Sequence, residues 1–257
     1  MSTFVKTRPH APDRFFEAEA AGLGWLAEAT AGGGVRVVDV VAVRPGRIEL
    51  DRLEEARPGS SAARAFGAAL ARTHGAGASA FGVPPAGWDG PCFIGKRPLE
   101  TTPTDSWGVF YAEQRVRPYA RIAREAGSID ADELELVDQA CVLIAGGAFD
   151  DHEPPARLHG DLWNGNVVFT PDGVVLIDPA AHGGHRETDL AMLELFGSPH
   201  LDDVIDGYER ESPLLPGRAD RVPLHQLHPL AVHAASYGRG YGEALIAAAR
   251  RTIALAG

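Results

Sequence analysis

Apolar and polar positions alternate with period two at the start of the chain, so TFVKT at 3–7 reads as a short strand, which Arg8-Pro9-His10-Ala11-Pro12 interrupts. From Asp13, a favoured N-cap type, to Thr30 the pattern is helical, with Phe16, Leu23 and Leu26 near one face and Glu17 and Glu19 diverging from one another. The glycines at 32–34 close that helix. VRVVDVVAV at 35–43 and RIELDRL at 47–53 are rich in β-branched residues and separated by Arg44-Pro45-Gly46, which predicts two adjacent antiparallel strands. After Arg57-Pro58-Gly59 the period becomes helical over 60–77, 107–126 and 130–145, with a Gly/Pro-rich segment at 82–103 between the first two. Loops that long are uncommon inside a compact domain, which marks 82–103 as a candidate substrate-side segment. VVF at 167–169 and VVLI at 174–177 flank Pro171-Asp172-Gly173 and predict a hairpin, and the chain is helical again from Thr188 to its end. The class is therefore α+β: a small mixed unit followed by a larger, mainly helical one.

Composition adds exclusions. A chain of 257 residues, 45% hydrophobic and 23% charged, can bury the core of one large domain or of two lobes. A formal net charge of −11 without any Lys/Arg run argues against a nucleic-acid partner. Cys92 and Cys141 lie far apart without CxxC spacing, so they are expected to be buried free thiols suited to a reducing cytosol. The N-terminal residues lack the apolar core of a signal peptide, and no apolar run approaches the ~20 residues of a membrane span, so a cytoplasmic protein with no membrane partner is expected. Oligomeric state is not legible.

Residues 158–180, LHGDLWNGNVVFTPDGVVLIDPA, place one His, three Asp and two Asn in and around the predicted hairpin. Phosphoryl transfer from a nucleotide needs positioned metal ions, a carboxylate at the attacking hydroxyl and a cation on the phosphates. A kinase catalytic loop reads H-R-D-x-x-x-x-N, and here His159-Gly160-Asp161 is followed at the matching spacing by Asn166. Asp178 then closes the second strand, where the kinase pattern carries its metal-binding Asp. Asp161 is thus the candidate base, Asn166 and Asp178 are candidate oxygen ligands of Mg²⁺, and His159 organises the backbone. Gly160 in place of Arg is the small-molecule-kinase form of the loop. Taken singly, each residue also suits a polar turn entering a hairpin. The joint spacing selects the kinase reading.

The first quarter then supplies the nucleotide side. Lys6 is the strand Lys for the ATP phosphates, Glu19 its helix partner and Glu17 the rival, since the two acids lie about half a turn apart and only one can face Lys6. LDRL at 50–53, with Asp51 and Leu53, sits where a hinge would cross to the larger lobe and offer backbone groups to adenine. His182 follows Asp178 closely enough to touch substrate or to shape the loop by hydrogen bonding. His225, His228 and His233 lie in an apolar helical pattern with no Cys or carboxylate nearby, which does not suit zinc.

The chain resembles the fructosamine kinase, or ketosamine 3-kinase, family of aminoglycoside-phosphotransferase-like kinases. LHGDLWNGN at 158–166, IDPAAHGGHRETDLAML at 177–193 and FYAEQRVRP at 110–118 carry the resemblance, which extends to FEAEAAGL at 16–23 and QLHPLAVH at 226–233. It implies a two-lobed protein-kinase-like fold, with an N-lobe at 1–55 and a C-lobe at 56–257. It also implies ATP- and Mg²⁺-dependent phosphorylation of a ketosamine, free or protein-bound, at the sugar O3, which destabilises the adduct and releases the amine. Trp163, the residue that shifts the choice toward sugar amines, would pack on the sugar or its substituent, and Asp189 would brace the catalytic loop. The family places a hairpin with a Gly-rich turn before the Lys strand, and here Lys6 lies five residues after Met1, so the N-lobe is expected to be truncated. Three alternatives follow: a start assigned too far downstream, a ligand-binding pseudokinase, or another kinase of the same fold acting on an aminoglycoside or amino alcohol.

Overall fold

The computed structural model describes residues 2–257. In chain order the elements are β1 (Thr3–Thr7), α1 (Phe15–Ala27), β2 (Arg36–Val37), β3 (Val40–Arg44), β4 (Arg47–Asp51), α2 (Ser60–Gly75), β5 (Cys92–Ile94) and β6 (Arg97–Leu99). There follow α3 (Trp107–Phe110), a π-helical turn at Tyr111–Val116, α4 (Arg117–Glu125), α5 (Ala131–Ala145), β7 (Ala156–Leu158), β8 (Val167–Thr170), β9 (Gly173–Leu176) and β10 (His182–Gly184). Four helices close the chain: α6 (Arg186–Phe196), α7 (Leu201–Glu211), α8 (Arg218–Tyr237) and α9 (Arg239–Leu255).

β4 is the middle strand of the antiparallel sheet β1-β4-β3, with Lys6 opposite Ile48. Strand alternation turns Ile48 and Leu50 inward, where they meet Phe16 and Leu23 of α1 and Val38 in a small apolar core. α1 begins at Phe15, with Arg14 rather than Asp13 at its cap position and no side-chain cap. The segment 35–43 is not one strand beside β4, as its β-branched run suggests. Val38 donates its N–H to the Leu176 carbonyl (3.0 Å), so β2 runs parallel to β9 while β3 pairs with β4. Val35 and Val38 bury in different cores, and a period-two pattern does not specify which sheet its strand joins.

The predicted hairpin forms as β8 and β9, with Thr170 opposite Gly173. It packs with α2, α6 and α7 in a second core, and a third, larger one fills the space between α3, α4, α5, α8 and α9. Helix runs from Trp107 to Glu125 through the π-helical turn, which precedes Pro118, a residue with no N–H to give the ladder. Asp130 and Glu133 form a capping box at the start of α5. Both cysteines are free and buried. Among the described residues no helix is long and apolar enough to cross a membrane.

Candidate active site

Lys6 projects from β1 between two carboxylates, its Nζ 2.6 Å from Glu19 Oε1 and 2.5 Å from Asp178 Oδ1. Glu19 is thus the acid on α1 that faces the strand, while Glu17 keeps a buried Oε2 without a partner. Burial raises the Glu19 carboxyl above its ordinary value, with Lys6 opposing.

Between β7 and β8 the loop 159–166 passes beneath Ala180. Gly160 has φ +80°, and a Cβ there would sit 2.2 Å from the Ala180 carbonyl oxygen, so the close approach requires glycine. The loop hangs from Asp189 on α6, whose carboxylate accepts the N–H groups of His159 (2.7 Å) and Gly160 (3.0 Å) and lies 3.2 Å from His74 Nε2. Burial alone would raise Asp189, but His74, His159 and the backbone N–H of Gly160 hold it below the usual carboxylate range. His159 donates from Nε2 to the Ile177 carbonyl (2.9 Å) and accepts the Asp161 N–H at Nδ1 (3.3 Å), tying the loop to the end of β9. Burial keeps its pKa below the ordinary value, which favours this neutral form.

Burial pushes the Asp161 carboxyl up to about 7, with the Asn166 hydrogen bond opposing and the charges of Asp178 and Asp189 adding to the rise. The Asn166 amide nitrogen donates to the Asp161 carbonyl (2.8 Å), to Asp161 Oδ2 (3.3 Å) and, weakly, to the Asp178 carbonyl (3.4 Å). Among the described residues the Asn166 Oδ1 accepts no hydrogen bond. Asp178 has a left-handed backbone, φ 54°, and a side chain 44% exposed. One carboxylate and one amide oxygen suit Mg²⁺, which takes few protein ligands and completes its shell with phosphate oxygens and water. Charge agrees with this fit, since Lys6 is shared between Glu19 and Asp178. Among the described residues no cluster of three His, Cys, Asp or Glu side chains could hold a metal by itself.

Two cavities meet at Asp161 and Asp178. One, of 510 Å³, is bounded by Lys6, Glu19, Phe16 and Phe93. The other, of 880 Å³, is bounded by Trp163, Asn166, Lys96, Arg97, His233 and Tyr237. Trp163 is 42% exposed and therefore not a core aromatic. Its ring lies over Gly165, where a Cβ would come within 2.3 Å of it, and meets Phe196 edge-on at 6.3 Å. Phe196, His233 and Tyr237 continue this aromatic wall, with successive ring centroids 4.8 Å and 5.4 Å apart. The segment 82–103 folds in part as the hairpin β5–β6, whose tip carries Lys96 and Arg97 to the larger cavity. Arg97 anchors the tip to the end of α8 through Ser236 Oγ (3.1 Å) and the Ala235 carbonyl.

Not every candidate residue reaches the cavities. His182 is 3% exposed, bonded to the Ala180 carbonyl (2.8 Å) and set against Arg115 (3.4 Å), so it shapes the loop and does not face an acceptor. Asp51 and Leu53 line neither cavity, and Leu53 packs against the α1 core. His225, His228 and His233 bond separately to Thr188, the Arg115 carbonyl and the Pro229 carbonyl. Arg8, Lys96, Arg97 and Tyr237 were not singled out from the sequence; a Gly/Pro-rich segment of unusual length was the only signal for the two hairpin residues.

A strand Lys paired to a helix Glu, an Asp-Asn loop and a second Asp closing a hairpin define a phosphotransferase of the protein-kinase-like class. The family model for fructosamine kinase matches residues 1–254, and the chain belongs to that family. A protein named as a ketoamine kinase in Lactiplantibacillus plantarum is 32% identical over 243 residues, 94% of this chain and 83% of its own length. Another, in Synechocystis, is 33% identical over 244 residues, 93% of this chain and 78% of its own. The crystal structure of a protein provisionally assigned as a fructosamine-3-kinase from Thermobifida fusca matches with a TM-score of 0.90 at 44% identity, over 98% of this chain and 85% of that one. A microcompartment-associated aminopropanol kinase, at 18% identity and a TM-score of 0.57 over 99% of this chain and 84% of its own, shares the fold. The protein is an ATP-dependent kinase of the two-lobed, protein-kinase-like fold.

Proposed function

We propose that the protein transfers the γ-phosphoryl group of ATP to the O3 hydroxyl of a ketosamine, after which the phosphorylated adduct releases its amine. The observation that carries this reading is the place of Asp161: a half-buried carboxyl pushed up to about 7, on the wall common to a cavity holding Lys6 and a cavity walled by Trp163. Such a carboxyl ionises as pH rises through about 7 and is basic enough to take a hydroxyl proton in the transition state. Lys6, oriented by Glu19, holds the nucleotide phosphates. Asn166 and Asp178 would hold Mg²⁺, which neutralises phosphate charge when bound. His159 and Asp189 keep the loop in register. Two free, buried cysteines suit a reducing cytoplasm.

The acceptor wall supports a ketosamine over a polycationic aminoglycoside. Apart from Asp161 and Asp178, its fixed charges are the cations Arg8, Lys96 and Arg97. Polycations would meet repulsion there, while a sugar ring can lie on Trp163. Trp163→Leu is expected to raise KM for a ketosamine about tenfold, the ~1.4 kcal/mol at the upper end of such a contact, and to leave KM for ATP unchanged. Steady-state kinetics varied in both substrates measures this split. An unchanged ketosamine KM removes Trp163 from the acceptor site.

A further inference from the structure

The geometry points to Arg8 as the cation that holds the transferring phosphoryl group between the two cavities, an inference that rests on the phosphotransfer reading above. Arg8, Gly95, Asp161 and Asp178 each line both cavities, and Arg8 is the cation of this set. It lies two residues after Lys6, just past the end of β1, and both side chains line the smaller cavity. Lys6 is already held by two carboxylates. Arg8, in contrast, makes no ion pair among the described residues, and its Nη1 is buried without a hydrogen-bond partner. A buried guanidinium N–H left unpaired is costly unless a ligand completes it.

The rest of Arg8 is fixed. Its N–H donates to the Gly46 carbonyl (3.0 Å), its carbonyl accepts the Ala11 N–H (3.0 Å), and its guanidinium lies 4.7 Å from the centre of the Phe15 ring. Phe15 in turn packs at 5.3 Å on Phe93 of β5. The planar fork is therefore presented, not free to wander, and a fork of this kind matches two phosphate oxygens. During transfer the acceptor oxygen bonds to the γ-phosphorus while the bond from that phosphorus to the β,γ-bridging oxygen breaks. ADP leaves with that electron pair, and the acceptor proton passes to Asp161. Arg8 donates hydrogen bonds to the equatorial oxygens throughout and changes neither charge nor protonation.

The test compares ATP with ADP by calorimetric titration in the presence of Mg²⁺, beside turnover. Arg8→Met is expected to leave ADP affinity unchanged, to lower the ATP-to-ADP affinity ratio about tenfold, and to lower kcat about 10³-fold, the lower end for an arginine at a transferring phosphoryl group. A protein that merely lost a stacked surface residue would keep that ratio. An unchanged ratio in Arg8→Met overturns the assignment, and if that variant does not fold, an unchanged ratio in Arg8→Gln does so equally. Titration needs no acceptor, so it judges Arg8 separately from the ketosamine reading, which fails on its own terms if the wild-type protein phosphorylates no ketosamine.

Discussion

Asp161→Asn is expected to lower kcat by roughly 10²–10⁴-fold while nucleotide binding persists, because a general base acts in the transition state and contributes little to ground-state affinity. Two pH measurements accompany it. In the wild-type protein kcat/KM should fall tenfold per unit below an inflection near pH 7, where the Asp161 carboxyl, pushed up to about 7, becomes protonated. That inflection should be absent in the variant. The second is stability. The folded-state pKa lies above the ordinary value of 3.8, so this carboxyl's contribution to stability is fully present below about pH 4 and is lost as pH rises through about 7. The neutral amide of Asp161→Asn does not lose it. Its melting temperature should exceed that of the wild type at pH 8, with the gain shrinking toward pH 4. A variant both slow and less stable at pH 8 would show that Asp161 supports the loop instead of acting as base.

Asp178→Asn should differ in kind. Replacing the carboxylate removes an anionic ligand for Mg²⁺ and one of the two carboxylates on Lys6. Mg²⁺-dependent binding of a non-hydrolysable ATP analogue should weaken roughly 100-fold, about 2.7 kcal/mol, with turnover falling in step at subsaturating nucleotide. Binding measured without Mg²⁺ should change far less. If both variants lose nucleotide binding alike, the division of labour between base and metal ligand is wrong.

The parts of this site that could be read from sequence are those held by short stretches of chain. Asp161, Asn166 and Asp178 fall within a loop and one hairpin, so spacing alone brings them together once the hairpin is recognised. Lys6 and Glu19 were legible because one strand and one helix follow each other directly, although the choice between Glu19 and Glu17 depended on which face of α1 meets β1. Of the two roles open to His182, sequence proximity could not choose, because Arg115, from the π-helical turn between α3 and α4, packs against it and its bond to the Ala180 carbonyl makes it a loop-shaping residue. The acceptor wall was harder still. Trp163, Phe196, His233 and Tyr237 come from three separate segments, and only the packing of α6 and α8 aligns their rings. The sheet exchange at Val38 was hidden for the same reason, since a β-branched run does not name its partner strand.

The most direct measurement of the central claim is product analysis. Wild-type protein, ATP and Mg²⁺ should be incubated with a ribulose- or fructose-derived lysine adduct and, separately, with a kanamycin-type aminoglycoside, and the products followed by phosphorus and carbon NMR. The expected result is one ADP formed per phosphate on the ketosamine, with that phosphate on the sugar O3 and the aminoglycoside unchanged. Phosphorylation of the aminoglycoside but not of the ketosamine, or ADP formation matched only by inorganic phosphate, would contradict it.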